Sequence, residues 1–189
     1  MNGVELFVMR LSSLKEGDLS ILRGLAGSPL DADLRGFDLF TGIWWPVRAN
    51  HADTPRRNVA WLVSKLYAFS PLPHIGTGES LASCLGRCEC ELLDERECEL
   101  LDERKRKRFR TCFDSLLATP LEGLEFPLRW ALGAISDASI GKIPHRERME
   151  GLDWVRLLND LSIWDRGIHH RKKRDIREVW AEDYFAAVS

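Results

Sequence analysis

The chain has 189 residues, of which 44% are apolar and seven are tryptophan, and its formal net charge is −2. This composition excludes an intrinsically disordered chain, because the apolar residues suffice to build a core. The negative net charge argues against a simple basic nucleic-acid binder. Any binding of a polyanion must therefore depend on local patches of positive charge.

Targeting and cysteine content indicate the compartment. No signal peptide is evident, since Glu5 and Arg10 interrupt the apolar residues of the N-terminus. No apolar run approaches the roughly 18 residues of a membrane-spanning helix. The five cysteines are an odd number without a secretory context, which favours reduced thiols. We therefore expect a cytoplasmic protein with no membrane partner.

The first part of the chain is predicted to form three short helices. Two cover residues 4–10 and 18–25, with Asp18 as the cap of the second. The third covers residues 33–45 and should stop before Pro46, because a residue that precedes proline is driven away from helical geometry.

A fourth helix is predicted to begin at Thr54-Pro55, where a capping hydroxyl precedes a proline at the first helical position. Residues at helical spacing then form its apolar face: Val59, Leu62, Val63 and Leu66. The prolines of residues 70–73 should end this helix, and a short helix is predicted over residues 79–87.

Helical spacing continues through the second half of the chain. One amphipathic helix, ended by Pro120, is marked by Phe109, Cys112, Phe113, Leu116 and Leu117, and the next by Leu121, Leu124, Leu128, Ala131 and Ile135. A further helix opens at Asp153. After a turn near Gly167, a closing helix begins with the basic run 171–174 and contains Trp180 and Tyr184.

No run of alternating apolar residues is long enough for a strand, so we predict an all-α fold of two small helical bundles packed together. The expected domains are residues 1–75 and 76–189, with the boundary between residues 70 and 98. A perfect tandem repeat, ECELLDER, occupies residues 89–96 and 97–104. Eight residues overshoot two helical turns by about 80°. We interpret the repeat as an extended loop or helix overhang.

Three clusters of basic residues are candidates for binding phosphates, since Arg and Lys attract a polyanion through charge and counterion release. The clusters comprise Arg56, Arg57 and Lys65; Lys105, Arg106, Lys107, Arg108 and Arg110, preceded by Arg104; and Arg171, Lys172, Lys173, Arg174 and Arg177. Helical spacing places Trp61 on one stripe with Arg57 and Lys65, where its ring would stack on an unpaired base.

Each cluster also has a purely structural interpretation. Trp61 is alternatively buried between the two bundles. The second cluster follows a strongly acidic segment, so its charges would complement a helix dipole. In the third cluster, Arg174 would pair with Glu178 across one turn of a solvated helix.

Catalytic and metal-binding sites have little support in the sequence. The cysteines follow the spacing C-x3-C-x-C-x7-C, which lacks the C-x2-C pair typical of structural zinc sites. His169 and His170 have no carboxylate at ligand spacing, and no nucleophile elbow, Walker-type loop or dinucleotide fingerprint occurs. We expect no enzymatic activity, no metal and no cofactor; a thiol- or metal-dependent enzyme would contain zinc or iron.

The order of these features resembles the CasB family, the small subunit of the type I-E CRISPR Cascade surveillance complex. The resemblance covers residues 35–187 and is most specific near the C-terminus. It rests on Phe37, Trp44-Trp45-Pro46, Pro55-Arg56-Arg57, Ala60-Trp61-Leu62, Leu66-Tyr67-Ala68, Gly78-Glu79-Ser80-Leu81, Leu85, Arg110, Phe113, Leu116-Leu117, Gly151-Leu152-Asp153-Trp154, Leu157-Leu158, Leu161, Trp164, Val179-Trp180-Ala181 and Tyr184-Phe185.

The resemblance implies a non-enzymatic, all-helical protein of two bundles. Its partners would be the other Cascade subunits with their guide RNA, a second copy of itself, and the target and displaced DNA strands. Matched by position, Arg56 follows the family's proline and Arg110 precedes its phenylalanine, whereas the other basic residues match only as regions. The departures are the long N-terminal segment, the duplication and an insert at residues 141–150.

The resulting hypothesis is a DNA-binding subunit that stabilises the R-loop through backbone contacts to both strands, while the guide RNA supplies sequence specificity. The alternative is a helical protein–protein scaffold whose basic patches meet acidic surfaces of partner subunits.

Overall fold

The fold is all-α, as predicted. The computed structural model describes residues 1–70, 72–93, 99–140, 151–164 and 174–188, with the backbone alone at 91–93, 99–102 and 138–140. Within these ranges the chain forms nine α-helices and no β-strand. They are α1 (Gly3–Ser12), α2 (Glu16–Gly24), α3 (Leu34–Asn50), α4 (Arg57–Phe69), α5 (Leu81–Leu93), α6 (Glu99–Ala118), α7 (Glu125–Ile140), α8 (Trp154–Ser162) and α9 (Ile176–Val188).

Side-chain caps fix the starts of three helices. Asn2 and Glu5 form a reciprocal capping box at α1. Asp33 accepts a hydrogen bond from Gly36 N at 3.0 Å and caps α3. At α8, Asp153 Oδ1 accepts from Arg156 N at 2.9 Å, which confirms the predicted opening of this helix at Asp153.

α3 continues through Pro46 to Asn50, so the predicted stop before Pro46 was wrong. Proline removes one backbone donor from the helix. The turn beyond it is nevertheless anchored, because Val47 is fully buried and Asn50 Nδ2 donates to the Pro46 carbonyl at 2.8 Å. Burial of Val47 outweighs the local preference for ending the helix.

Two predicted helix starts also differ from the structure. α2 begins at Glu16, so Asp18 lies in its first turn and is not its cap. α4 begins at Arg57, after Thr54 and Pro55. The Thr54 hydroxyl instead donates to the His51 carbonyl at 2.7 Å, within the preceding turn.

The duplicated segment is helical wherever it is described. Residues 89–93 of the first copy extend α5 beyond the predicted end at residue 87, and residues 99–104 of the second copy open α6. Residues 94–98 lie outside the described part of the chain. The first copy also contributes to the core, because Glu89 is fully buried.

The chain divides into two compact units. The first unit comprises residues 1–77 and 151–162, and the second comprises residues 78–150 and 163–189. This division differs from the expected domains chiefly at residues 151–162, which follow the second unit's helices in sequence but pack with the first.

Contacts of α8 and of the residues just before it explain that assignment. Trp154 is fully buried and its ring centroid lies 5.0 Å from that of Tyr67 on α4. The Trp154 indole donates to the Leu72 carbonyl at 3.0 Å. Leu152 N donates to Pro73 O at 2.9 Å, and Ile75 N donates to Leu152 O at 3.0 Å. These bonds hold residues 151–154 against residues 72–75.

In the second unit, α5, α6, α7 and α9 pack around large aromatic residues. The rings of Phe113 and Tyr184 stack at 4.0 Å, and Trp164 meets Trp180 edge-on at 4.9 Å. The Trp164 indole donates to the Thr119 carbonyl at 2.9 Å, just beyond the C-terminus of α6.

Candidate nucleic-acid interface

The second basic cluster lies on α6. Acidic residues of the duplication precede it in the first turns of the helix, where negative charge favours helix formation. Arg104, Lys105, Lys107 and Arg108 are exposed, whereas Arg106 is half-buried. Successive helical residues are rotated by about 100°, so these side chains spread around the helix. Among the described side chains, no carboxylate pairs with any of them.

Arg110 differs from the rest of this cluster because it has a partner inside the second unit. Its Nε donates to Glu89 Oε1 at 2.7 Å, and Glu89 is fully buried. The Tyr184 hydroxyl donates to the other oxygen of the same carboxylate. Burial, followed by the hydrogen bond to Glu89, raises the pKa of Tyr184 well above its usual range, so the hydroxyl stays protonated and donates.

The sequence interpretation missed Glu89, although a signal was present. Leu81, Leu85 and Glu89 follow one another at intervals of four, so Glu89 continues the buried stripe of α5. A carboxylate on such a stripe requires a buried partner. Arg110 therefore has a structural role as the partner of Glu89. Its side chain is nevertheless 43% exposed.

The first cluster is divided by the structure. Arg56 and Arg57 are exposed at the N-terminal end of α4. Trp61 and Lys65, in contrast, are each 6% exposed, and both donate hydrogen bonds to the Ser28 carbonyl, at 3.1 and 3.0 Å. The expectation of an exposed stripe that stacks on a base is therefore wrong for Trp61 and Lys65.

The burial of Trp61 follows from the position of α4 in the first unit. α4 packs against α2, α3 and α8, so most of its circumference is covered. The Trp61 ring meets Phe40 edge-on at 5.5 Å, and Lys65 Nζ lies 5.3 Å from the Trp61 ring centroid. The ammonium is thus held by a carbonyl and an aromatic face.

The third cluster is described only in part. Arg171, Lys172 and Lys173 lie outside the described residues. Arg174 is exposed before the start of α9 and pairs with Glu182, in place of the predicted Glu178. The guanidinium of Arg177 lies 5.3 Å from the centroid of the Trp164 ring, which it covers as a cation–π contact.

The remaining candidates from the sequence are the metal-ligating and thiol side chains. No group of three or more His, Cys, Asp or Glu residues is arranged to hold a metal ion there. Cys84 and Cys88 are buried on α5, while Cys90 and Cys112 are half-buried. No described helix is long and apolar enough to cross a membrane.

Comparison with known proteins identifies the family. The family model of the CRISPR-associated protein Cse2 matches residues 18–185. The chain belongs to the Cse2 family. Cse2-family structures share its fold: CasB from M. ruber has a TM-score of 0.65 at 21% identity, over 100% of this chain and 95% of that one. A Cse2-family protein from Thermus thermophilus has a TM-score of 0.63 at 21% identity, over 98% of this chain and 99% of that one.

Family membership confirms the resemblance seen in the sequence and makes the chain a subunit of a CRISPR Cascade complex. The match includes the duplicated segment and residues 141–150, so these departures lie within the family region. A comparison with curated proteins finds no match.

Proposed function

We propose that this Cse2-family subunit is a non-catalytic DNA-binding component of Cascade that stabilises the R-loop through contacts to the sugar–phosphate backbones of the target and displaced strands. In this role it works beside the other subunits, the guide RNA and a second copy of itself. Guide pairing reads the sequence, while protein contacts tip a nearly balanced strand exchange toward the open state.

The observation that carries this proposal is the exposed basic surface of α6. Arg104, Lys105, Lys107 and Arg108 are exposed and adjacent, and no described carboxylate neutralises them. Consecutive exposed cations on one helix attract phosphates, even though the whole chain has a net charge of −2. Arg56 and Arg57 supply a second exposed pair in the first unit.

Structural roles narrow the set of proposed contacts. Trp61 and Lys65 are excluded by burial. Arg110 and Arg177 already hold Glu89 and Trp164, and Arg174 is partly neutralised by Glu182. Arg171, Lys172 and Lys173 stay a prediction from the sequence.

The test replaces Lys105, Lys107 and Arg108 with Gln in the assembled complex. Each lost phosphate contact should reduce the slope of log affinity against log salt by about 0.7 for a single strand and about 0.9 for a duplex. We therefore expect a less stable R-loop and a shallower salt dependence, measured by strand opening at several salt concentrations.

A charge-matched control replaces Arg23, Arg35 and Arg48, which are exposed on α2 and α3. This variant loses the same formal charge away from α6. If both variants weaken the R-loop equally, or neither does, the assignment to α6 is wrong.

A second candidate function is a protein–protein scaffold, favoured by an apolar face on α3. Leu34, Phe37 and Trp45 are 81%, 38% and 59% exposed, and helical spacing places them on one side of the helix. Such a face is typical of protein contacts. Filter binding of the isolated chain to single-stranded DNA at low salt separates the candidates, because a scaffold should show no salt-sensitive retention.

A further inference from the structure

α7 presents an exposed aromatic face within the second unit. Phe126 is 68% exposed, the highest value for any described aromatic ring. Trp130 is half-buried and follows it by four residues, so the two side chains are neighbours on one side of the helix. A single exposed ring is ordinary on a protein surface, so the significance of Phe126 depends on its neighbours.

The aromatic face adjoins the basic helix. Trp130 meets Phe109 of α6 edge-on, with ring centroids 5.1 Å apart. Phe109 comes directly after the basic run of residues 104–108, and Arg106 lies one helical turn before it. Arg106 is half-buried, and its Nε has no hydrogen-bond partner among the described residues. The Phe109–Trp130 contact between α6 and α7 therefore lies one helical turn from Arg106 and directly after the basic run.

A single-stranded nucleic acid carries the chemistry that matches both features. Its phosphates pair with Arg and Lys, and its unpaired bases offer flat faces that stack on aromatic rings. A duplex hides those faces inside its base stack, so an aromatic platform gains nothing from it. The basic run that precedes Phe109 on α6 favours this ligand over an apolar protein segment, which would bury the unneutralised cations at a cost in solvation.

We propose that Phe126 and Trp130 form a base-stacking platform, which holds unpaired bases of single-stranded nucleic acid while the basic residues of α6 hold its phosphates. The inference rests on the proposed DNA-binding function and adds a preference for single strands. It also assigns the stacking role to α7, in place of the buried Trp61.

The test compares two probes of equal length and charge, a thymidine oligonucleotide and its abasic counterpart. The affinity of each probe is measured for the full chain and then for the assembled complex. Each is tested with the wild-type sequence and with Phe126→Ala. Stacking contributes about 1–3 kcal/mol per base, so Phe126→Ala should weaken binding of the thymidine strand about 5- to 150-fold. Affinity for the abasic strand and the salt slope should not change, because no phosphate contact is lost.

Three further variants isolate the ring itself. Phe126→Tyr keeps a stacking ring and should retain affinity, whereas Phe126→Leu keeps an apolar side chain and should not. Phe185→Ala removes a ring that is 54% exposed on α9 and serves as the matched control. Because Phe126 is so exposed, these variants should fold normally, which circular dichroism checks.

The outcomes separate the two proposals. If the thymidine strand binds in a salt-dependent manner but Phe126→Ala has no effect, the stacking platform is wrong and backbone binding stands. If neither strand binds the wild-type chain or complex, the proposed function itself fails. If Phe126→Ala instead prevents assembly and leaves strand affinity unchanged, the aromatic face is a protein contact and the inference is overturned.

Discussion

The Glu89 carboxylate is fully buried and is compensated by two donors, the Arg110 Nε at 2.7 Å and the Tyr184 hydroxyl. Removing a charge from water is costly unless its oxygens are hydrogen-bonded and its charge is balanced. Removal of either donor therefore leaves part of that cost uncompensated. The stacking of Phe113 on Tyr184 at 4.0 Å places the hydroxyl where it can reach the carboxylate.

Tyr184→Phe should destabilise the fold because it deletes one donor and keeps the ring. We expect the free energy of unfolding to fall by about 1–3 kcal/mol, measured by urea denaturation. Tyr67→Phe is the matched control, since the Tyr67 hydroxyl donates to no described residue. Equal effects of the two substitutions would contradict the role of Glu89.

Glu79 and Arg87 form a bidentate pair on α5 and the residues before it, with Arg87 Nη2 2.7 Å from Glu79 Oε2. The hydrogen bond from Arg87 lowers the pKa of Glu79 from its ordinary value of 4.5. The carboxylate therefore stabilises the folded state above pH 4.5, and this contribution is lost as pH falls through the lower pKa of the folded state.

Glu79→Gln should consequently lower stability at pH 7 by a small amount, since both side chains are more than a third exposed and solvent screens the pair. The difference from wild type should shrink as the pH falls below 4.5. Urea denaturation at pH 7 and at successively lower pH measures it. A difference that grows on acidification would be incompatible with the lowered pKa.

At the scale of elements, α5 and α9 approach so closely that position 86 has no room for a side chain. A Cβ on Gly86 would lie 2.5 Å from the Tyr184 carbonyl oxygen and 2.8 Å from the Ala187 Cβ. The first is a backbone atom and the second is a methyl group that cannot rotate away. The two helices would therefore have to separate.

Gly86→Ala should therefore destabilise the second unit by about 1–3 kcal/mol, the usual cost of overpacking. Gly133→Ala is the matched control, because Gly133 lies in α7 with nothing within 4 Å of an added Cβ. That substitution should raise stability by up to about 1 kcal/mol through helix propensity. Thermal denaturation should show opposite signs, and a stabilising Gly86→Ala would show that the helices are farther apart.

The α6 and α7 helices combine a basic run with an aromatic face, and both features come from short segments. The two helices are brought together by the contact between Phe109 and Trp130. Their ring centroids lie 5.1 Å apart although the residues are separated along the chain. Helical periodicity assigns Phe109 to a buried face, but it does not identify the helix that covers it.

For the molecule as a whole, the division into two units makes a prediction about residues 151–162. Trp154→Ala removes a fully buried side chain of the first unit. It should cost about 3–5 kcal/mol and reduce amide exchange protection in α1 and α4, which α8 contacts.

Trp180→Ala is the corresponding control in the second unit, where Trp180 is fully buried on α9. Its loss of protection should concentrate in α5, the helix that packs along α9. Hydrogen exchange with mass spectrometry localises both effects. If Trp154→Ala mainly exposed α5 and α9, residues 151–162 would belong to the other unit.

The helical class, most helix positions and the family resemblance could be read from the sequence, because each depends on local periodicity and on residue order. The stop at Pro120 and the helix start at Asp153 are of this kind. Where local preference failed, as at Pro46, burial of the next residue, Val47, outweighed it. The basic clusters were also visible, since charge on a helix is a local property.

Tertiary structure alone decided which of those charges are available to a ligand. Lys65 donates to the Ser28 carbonyl. Arg110 donates to Glu89, 21 residues away, and Tyr184, 95 residues from Glu89, donates to the same carboxylate. Contacts between residues so far apart produce no periodic pattern in the sequence. The sequence thus determined where the helices and charges occur, while packing between distant segments determined which cations are structural and which remain exposed on α6.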